Sequence, residues 1–249
     1  MKMATWNLDR PVSDKRRKAA RAEIDKIAPD ILVLTETHDG FNPGLQFSES
    51  SAGGRDGVGR YKSDDHHWVT IWSNYPLEKL STEDEKRTVA VRVSPSEGAP
   101  FLVYGTVLPW TGSEWHGHPS DGGVAFGEAL KVQVSDWKKL QHEHPEDELF
   151  VLGDFNQDLA DTRYCGTKVT RDLLSEALKN CGLVAITAGD GDPVRRELKD
   201  FACIDHICAL NNSCWSTEGT ERWPNTPKPE KWLSDHFGVA VSLVPNIGQ

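Results

Sequence analysis

Acidic and amide side chains recur along this sequence where apolar runs end, and two of them precede histidines. They are Asn7, Glu36, Asp154, Asn156, Asp205 and the pair Asp235-His236. Carboxylates at strand ends repel one another if they gather at one place, unless a cation offsets their charge. The pattern therefore predicts a cation site assembled from distant parts of the chain.

The types of donor atom indicate which cations would bind. Oxygen donors from Asp, Glu and Asn suit Mg²⁺ or Mn²⁺ rather than Zn²⁺, and such ions usually keep waters and take further ligands from a substrate phosphate. The chain has five cysteines, and none forms a CxxC pair, so a zinc cage is disfavoured and reduced thiols are expected. This chemistry predicts phosphoryl transfer to water.

Each motif by itself has an ordinary structural explanation. An Asp in the place of Asp154 often caps a helix or closes a turn, and Glu36 alone is equally compatible with a solvated acid at a helix start. A Ser-Asp-His tripeptide such as 234–236 also occurs by chance. Only the ordered set of motifs is specific.

Hydrophobic periodicity predicts the elements that position these residues. Helices are predicted at 13–28, 126–140 and 171–180, and strands at 31–34, 68–72, 89–93, 101–108, 150–152, 183–187, 203–210 and 238–244. Long loops are predicted at 40–65, 109–123 and 216–231. Helices mixed with successive strands, and no linker between them, predict a single α/β domain over residues 1–249.

Charge and hydropathy limit the partners. A net charge of −10 over 249 residues gives no overall attraction to nucleic acid, although a local basic patch or a bound metal would still permit it. No apolar run is long enough for a membrane span, and the first residues do not resemble a signal peptide. We therefore expect a soluble cytoplasmic protein, with a monomer favoured over an oligomer.

In order and spacing, five motifs resemble the endonuclease/exonuclease/phosphatase superfamily, which includes deoxyribonuclease I, apurinic endonucleases, neutral sphingomyelinases and inositol polyphosphate 5-phosphatases. The motifs are Thr5-Trp6-Asn7, Leu34-Thr35-Glu36, Gly153-Asp154-Phe155-Asn156, Ile204-Asp205-His206 and Ser234-Asp235-His236-Phe237-Gly238-Val239. The resemblance covers residues 4–241. It implies a four-layer sandwich, in which two mostly antiparallel β-sheets pack face to face with helices outside and the site lies at one edge.

The resemblance also implies roles for the matched residues. Glu36 is the principal metal ligand, supported by Asn7 and Asp235, and Asp9 is a weaker candidate ligand. Asp154 orients or deprotonates the attacking water, or protonates the leaving oxygen. The remaining roles follow the same pattern: Asn156 holds phosphate or metal, Asp205 orients His236, and His236 contacts the scissile phosphate.

One position departs from the family pattern. Members usually carry His or Tyr on the middle strand where this chain has Val107, and apurinic endonucleases keep Asn where it has Trp110. Both differences argue against a standard apurinic endonuclease or a close relative of deoxyribonuclease I. His116 or His118, on the following loop, is a candidate to fill the gap, although both are equally explained as solvated loop residues.

Other residues are weaker candidates for contacts with the substrate. Arg87, just before a strand, is a candidate phosphate clamp. The loop residues Trp110, Trp115, Trp223 and Trp232 are candidates to rim the site and stack on a ring, or simply to pin their loops. Trp6, Trp72 and Trp137 are assigned to the core, and His66 and His67 to the surface.

Three functions remain open from the sequence. The first is a metal-dependent phosphodiesterase or nuclease that acts on a phosphate ester, with nucleic acid as a possible partner. The second is a small-molecule, lipid or inositol phosphatase of the same fold. The third is a non-catalytic binding protein, for which Val107 is the cue. Retention of the other site residues favours catalysis.

Overall fold

Two six-stranded sheets form the centre of the molecule in the computed structural model, which describes residues 1–54, 64–160, 162 and 164–246. The strands are β1 Lys2–Asn7, β2 Ile31–His38, β3 Phe47–Ser50, β4 His66–Ser73, β5 Leu77–Leu80, β6 Thr88–Val93, β7 Phe101–Val107, β8 Glu148–Asp154, β9 Leu183–Ala185, β10 Asp205–Leu210, β11 Trp215–Trp223 and β12 Gly238–Pro245. The helices are α1 Asp14–Ile27, α2 Val124–Glu143, α3 Lys168–Asn180 and α4 Pro193–Glu197, with short 3₁₀ turns at Asp121–Gly123 and Gly189–Gly191.

The strand order brings the ends of the central strands together. One sheet runs β11-β12-β1-β2-β4-β3 and the other β5-β6-β7-β8-β10-β9. The pairs β1/β2 and β7/β8 are parallel, and the other pairs are antiparallel. Parallel neighbours end at the same edge of a sheet, so Asn7 lies beside the end of β2 and Val107 pairs with Asp154. The predicted, mostly antiparallel sheets are confirmed.

Successive side chains of a strand point to opposite faces of its sheet, so the buried residues form three layers. Between the sheets, Val33, Val103 and Phe150 belong to one buried cluster. On the outer faces, Ile24 of α1 packs in a second cluster and Trp137 of α2 in a third. The helices therefore cover the outside of both sheets, as predicted. No helix in the described ranges has both the length and the apolar character that crossing a bilayer requires.

Several predicted boundaries were wrong, and two predicted loops contain strands. β11 overlaps the predicted loop 216–231, and β3 lies within the loop 40–65, of which residues 55–63 lie outside the described part of the chain. Both are edge strands with largely exposed or half-exposed side chains, so they lack the apolar alternation that marks a strand in sequence. The short elements β5 and α4 were also missed.

Gly153 is required by the close approach of β7 to β8. Its φ is 144°, and a Cβ there would lie 2.0 Å from the carbonyl oxygen of Thr106. Gly153→Ala is therefore expected to reduce the free energy of unfolding by at least about 2 kcal/mol, measured by urea denaturation. The control is Gly219→Ala on β11, where nothing lies within 4 Å of the added Cβ. Equal stability of the two variants would contradict this explanation.

Candidate active site

Asn7 joins the two acids that end neighbouring strands. Its Nδ2 donates to Asp154 Oδ2 at 2.9 Å and lies 3.4 Å from Glu36 Oε1. Its Oδ1 accepts from the backbone N–H of Asp9 at 2.8 Å. One amide from β1 therefore connects the carboxylates of β2 and β8, which belong to different sheets.

A buried ion pair lies beside this group. His236 Nδ1 is 2.7 Å from Asp205 Oδ2, and the Asp205 side chain is 1% exposed. Asp205 faces Asp154 directly across the β10/β8 ladder. With Nδ1 engaged by Asp205, Nε2 of His236 is the nitrogen available toward the cavity, and it lies 3.8 Å from Asp235 Oδ1.

Local hydrogen bonds hold the segment that carries His236 against β1. Ser234 Oγ donates to the carbonyl of Asn7 at 2.6 Å and accepts from the His236 N–H at 3.0 Å. Trp6 Nε1 donates to the His236 carbonyl at 3.1 Å. The Ser-Asp-His motif is therefore placed by its serine, and the histidine position is coupled to the end of β1.

Four non-glycine residues around the site have left-handed backbone conformations. The φ values are 44° at Asp9, 53° at Arg10, 51° at Glu36 and 50° at Asn156. Such conformations cost of order 1 kcal/mol or more each, and they concentrate at functional sites, where the surrounding structure imposes them. Here backbone bonds impose them in part, since the Arg10 N–H donates to the Glu36 carbonyl at 2.9 Å.

Burial sets the electrostatics of the acids. It raises the pKa of Glu36, an effect that the Arg10 guanidinium partly opposes. Burial also raises the pKa of Asp154 and of Asp205, while the His236 charge acts in the other direction on both. Burial alone would lower the pKa of His236, but the attraction of Asp205 and Asp154 outweighs it and raises that pKa. His236 is therefore a cation at neutral pH.

These side chains open into a cavity of about 420 Å³. Its lining comprises Asp9, Arg10, Glu36, Trp68, Arg87, Val107, Leu108, Trp110, Thr111, Asp154, Asn156, Cys165, Asp235 and His236. The predicted residues Asp9, Arg87, Trp110 and Asp235 thus share one cavity with Glu36. Asp205 and Asn7 lie behind it and act through their contacts with His236 and Asp154.

Arg87 lies beside the position where the family pattern is broken. Its carbonyl accepts from the N–H of Val107 at 3.0 Å, and its guanidinium carbon lies 4.5 Å from the ring centroid of Trp68. The buried Asp84 fixes this turn by accepting from the Arg87 N–H at 3.2 Å. A cationic side chain therefore stands next to Val107, where the family usually has His or Tyr.

His116 and His118 do not fill that gap. Both lie against Trp115: the His118 ring stacks on its indole, and His116 meets it edge-on, with Nε2 4.0 Å from Asp84. Trp115 is buried, and its Nε1 donates to Asp84 at 2.9 Å. This cluster lies outside the residues that line the cavity, so the expectation that either histidine reaches the site does not match its position.

Two other tryptophans take no part in the cavity lining, which leaves the alternative that they only hold their own segments in place. Trp223 ends strand β11, is buried, and meets Trp6 edge-on instead of rimming the site. Trp232 is 50% exposed and lies near Lys15, away from the cavity lining. Among these loop candidates, only Trp110, which is 60% exposed, remains a residue for contact with the substrate.

Among the charged and aromatic residues of the lining, Arg10 and Trp68 were not identified from the sequence as functional. Arg10 forms an ion pair through Nη2 with Glu36 Oε2, and its guanidinium carbon is 5.6 Å from the Trp68 ring centroid. Arg10 does follow Asn7 by three residues, which is a usable signal. Its pairing with Glu36, however, depends on β1 and β2 lying side by side.

The donor set fits a hard divalent cation. Glu36 offers carboxylate oxygens, and Asp154 and Asp235 add negative charge to the same cavity. Asn7 turns Nδ2 toward Glu36 and its Oδ1 accepts from the Asp9 N–H, so its amide would have to rotate to present an oxygen to a cation there. Asp205 Oδ1 is buried and accepts no hydrogen bond within the described ranges, so one carboxylate oxygen beside the site is left without a protein partner. Asp154, Asp205 and His236 also have ligand atoms within 4.8 Å of one another. Because His236 Nδ1 is engaged by Asp205, the Glu36 carboxylate is the better candidate ligand for a cation.

His206 follows Asp205 but points away from the cavity and is fully buried. Its Nε2 lies 2.9 Å from the carbonyl of Gln157, and its Nδ1 lies 3.2 Å from Thr187 Oγ1. A carbonyl only accepts, so Nε2 carries the proton and Nδ1 accepts from the threonine hydroxyl. Both nitrogens are satisfied in the neutral ring, and burial lowers the pKa of His206.

This neutral histidine makes stability depend on pH. Below the unfolded pKa of about 6.5, the unfolded chain binds a proton that the folded chain does not, so the free energy of unfolding falls by up to about 1.4 kcal/mol per pH unit. His206→Gln is expected to remove this contribution, measured as a smaller loss of stability between pH 7.5 and 5.5 by urea denaturation. The control is His142→Gln on the exposed face of α2. Identical pH dependence in wild type and His206→Gln would contradict the assignment.

Comparison with known proteins agrees with this architecture. The chain is 20% identical to a 3′-5′ exonuclease (NExo) from Neisseria meningitidis, with 97% of this chain and 99% of that chain covered and a TM-score of 0.60. A structure of the Neisseria 3′ phosphatase NExo bound to product DNA hairpin gives 19% identity, 98% and 99% coverage and a TM-score of 0.63. An endonuclease/exonuclease/phosphatase from Beutenbergia cavernae DSM 12333 is 16% identical, with 98% of this chain and 71% of that chain covered and a TM-score of 0.62. No curated protein sequence matches.

The two-sheet sandwich with helices outside is the deoxyribonuclease I-like fold shared with these structures. The sequence profile of the Endonuclease/Exonuclease/phosphatase family matches residues 4–236, and the chain belongs to that family. Members of the family are phosphoester hydrolases.

Proposed function

We propose that this protein is a divalent-metal-dependent phosphodiesterase in which Asp154 activates the attacking water. The observation that carries the proposal is the convergence of Asn7, Glu36 and Asp154 with the Asp205–His236 pair around a single cavity. It joins a site for a cation, a carboxylate base and an imidazolium at one place.

Asp154 is held for proton transfer. Its Oδ2 accepts from Asn7 at 2.9 Å and its Oδ1 from the Asn156 N–H at 2.9 Å, and both donors stabilise the ionised form. As the water oxygen bonds to phosphorus and the bond to the leaving oxygen breaks, the water proton passes to Asp154. Burial raises the pKa of Asp154 to about 6, so the group is a carboxylate at neutral pH and a stronger base than an exposed Asp.

The positive groups bind the phosphoryl oxygens. Asp205 keeps His236 charged and oriented, with Nε2 toward the cavity, where it donates to the phosphate. Arg87 supplies a second positive group beside Val107, in place of the missing strand His or Tyr. A Mg²⁺ or Mn²⁺ ion held by Glu36 would supply Lewis-acid stabilisation of the charge that develops on the phosphoryl oxygens.

The substrate that we propose first is a phosphodiester near the end of a nucleic-acid strand. Trp110, 60% exposed on the cavity lining, provides a face for stacking a base. The related Neisseria structure was determined with product DNA hairpin bound. The cavity lining holds two arginines, Arg10 and Arg87, and four carboxylates. So few positive charges suit binding of one or two phosphates rather than of a long duplex.

A small-molecule phosphoester is the second candidate. It is favoured by the net charge of −10, which weakens attraction to any polyanion, and by a cavity of about 420 Å³.

Hydrolysis of bis-p-nitrophenyl phosphate and p-nitrophenyl phosphate, with Mg²⁺, Mn²⁺ or EDTA, tests the proposed function. Metal-dependent turnover with preference for the diester supports it, and preference for the monoester favours a phosphatase. A substrate panel of single-stranded DNA, abasic duplex, RNA, and lipid and inositol phosphates then distinguishes the two candidate substrate classes. Failure to bind either metal, together with no turnover of either ester, would instead indicate a binding protein.

A further inference from the structure

The guanidinium of Arg10 lies against the carboxylate to which we assign the cation. Nη2 of Arg10 forms an ion pair with Glu36 Oε2, and the other carboxylate oxygen, Oε1, faces Asn7 Nδ2 at 3.4 Å. The two charged side chains are only 15% and 17% exposed. Both oxygens of Glu36 are therefore already engaged by side chains of this chain.

The backbone fixes Arg10 in this position. Leu8 N donates to the Thr35 carbonyl at 3.0 Å, and Arg10 N donates to the Glu36 carbonyl at 2.9 Å, so the segment after β1 is bonded to the end of β2. Arg10 and Glu36 both adopt left-handed conformations at this junction. The ion pair thus belongs to an ordered junction between the two strands and is not a chance meeting of flexible surface side chains.

Charge explains what the pair does without a metal. Glu36 lies close enough to Asp154 for that carboxylate to raise its pKa, while Arg10 lowers it. Removal of the guanidinium would leave two partly or fully buried carboxylates facing each other across Asn7. A divalent cation and the guanidinium would both stabilise this arrangement, and like charges a few ångströms apart repel.

We propose that Arg10 is a built-in competitor of the divalent cation: it neutralises Glu36 when no metal is bound and must move off that carboxylate when the metal binds. This inference rests on the proposed function. The ring of Trp68, 5.6 Å from the Arg10 guanidinium carbon and 4.5 Å from that of Arg87, gives the released side chain a surface within the same cavity. There Arg10 faces the bound phosphate together with Arg87, so metal binding and phosphate binding are coupled through one side chain.

Titration of free Mn²⁺ by its electron paramagnetic resonance signal tests the competition without any turnover. Arg10→Met is expected to bind Mn²⁺ at least about tenfold more tightly than the wild type, because the competing charge is gone. Arg10→Lys keeps the charge but loses the planar fork, so its affinity is expected between the two. Arg92→Met is the matched control, since Arg92 also forms an ion pair with a carboxylate, Asp147, but lies outside the cavity lining, and its change is expected to leave Mn²⁺ affinity within about twofold of wild type.

A second measurement, by nuclear magnetic resonance on the wild-type protein, follows the movement of Arg10 directly. It tests the proposal even if Arg10→Met does not fold. The Nε–Hε resonance of Arg10, assigned by its loss in Arg10→Lys, is expected to shift saturably as Mg²⁺ is added to the wild-type protein. If the wild type and Arg10→Met bind Mn²⁺ with equal affinity, this inference alone is overturned. The same holds if the Arg10 resonance does not respond to saturating Mg²⁺. Absence of cation binding by the wild type would overturn the proposed function and this inference with it.

Discussion

Asp154→Asn is expected to lower kcat for bis-p-nitrophenyl phosphate by about 10²- to 10⁴-fold, the usual contribution of a positioned general base. The substitution preserves size but removes the group that takes the proton. It also disturbs the local bonding, because Asn7 Nδ2 and the Asn156 N–H both donate to this carboxylate and an amide NH₂ cannot accept. Steady-state kinetics at saturating Mn²⁺ measure the effect.

The matched control for Asp154→Asn is Asp172→Asn. Asp172 lies on α3, forms an i,i+4 pair with Lys168 and is 63% exposed, so the same chemical change is made away from the cavity. Its kcat is expected to stay within about twofold of wild type, since surface substitutions of this kind change little. An Asp154→Asn variant with wild-type kcat would show that another group accepts the proton, and the role proposed for Asp154 would be wrong.

The central fold was predictable because buried strands carry their own signal. The run 31–34 is apolar throughout, as expected for a strand covered on both faces, and it forms the first half of β2 between β1 and β4. The edge strand β11 was not predictable in the same way. Its outward residues are polar, and its position is fixed by hydrogen bonds to β12 rather than by burial.

The carboxylates of the site were predictable for a related reason. An acid or amide directly after an apolar strand stands out against its neighbours, but Asn7, Glu36 and Asp154 were each weak candidates alone, and their ordered set with the other motifs identified them. Their mutual distances still depended on the strand order, which periodicity does not determine. The parallel pair β1/β2 and the facing of the two sheets supply what the local pattern lacks.

The cationic side of the site was predicted in part, since Arg87 and His236 were candidates but Arg10 was not. Arg10 is one of 28 lysines and arginines, and its closeness to Asn7 in the sequence does not by itself separate a metal-site counter-ion from a solvated charge. Trp68 reads as an ordinary strand aromatic, and its contact with Arg10 and Arg87 joins three distant segments. The histidines of the loop 109–123 were weak candidates for the opposite reason, because they are a conspicuous residue type but their rings lie against Trp115, outside the cavity lining.

Glu36→Ala is expected to lower metal-dependent turnover at least about 100-fold, because it removes the carboxylate to which the cation is assigned. Mn²⁺ affinity is expected to fall in the same variant, measured by the resonance signal of the free ion. The control is Glu49→Ala on the edge strand β3, outside the cavity lining, which is expected to retain both properties. Wild-type turnover and Mn²⁺ affinity in Glu36→Ala would refute the metal assignment.

The comparison of Glu36→Ala with Asp154→Asn separates binding from chemistry. If Glu36 holds the cation and Asp154 takes the proton, excess Mn²⁺ is expected to restore part of the turnover in Glu36→Ala, since Asp9 and Asp235 still offer carboxylate oxygens in the cavity. The same excess is expected to leave Asp154→Asn inactive, because no added cation replaces a proton acceptor. Rescue of both variants by Mn²⁺ would mean that Asp154 is itself a metal ligand. The attacking water would then be activated by another group that faces the cavity, with His236 held charged by Asp205 and thus unable to accept the proton.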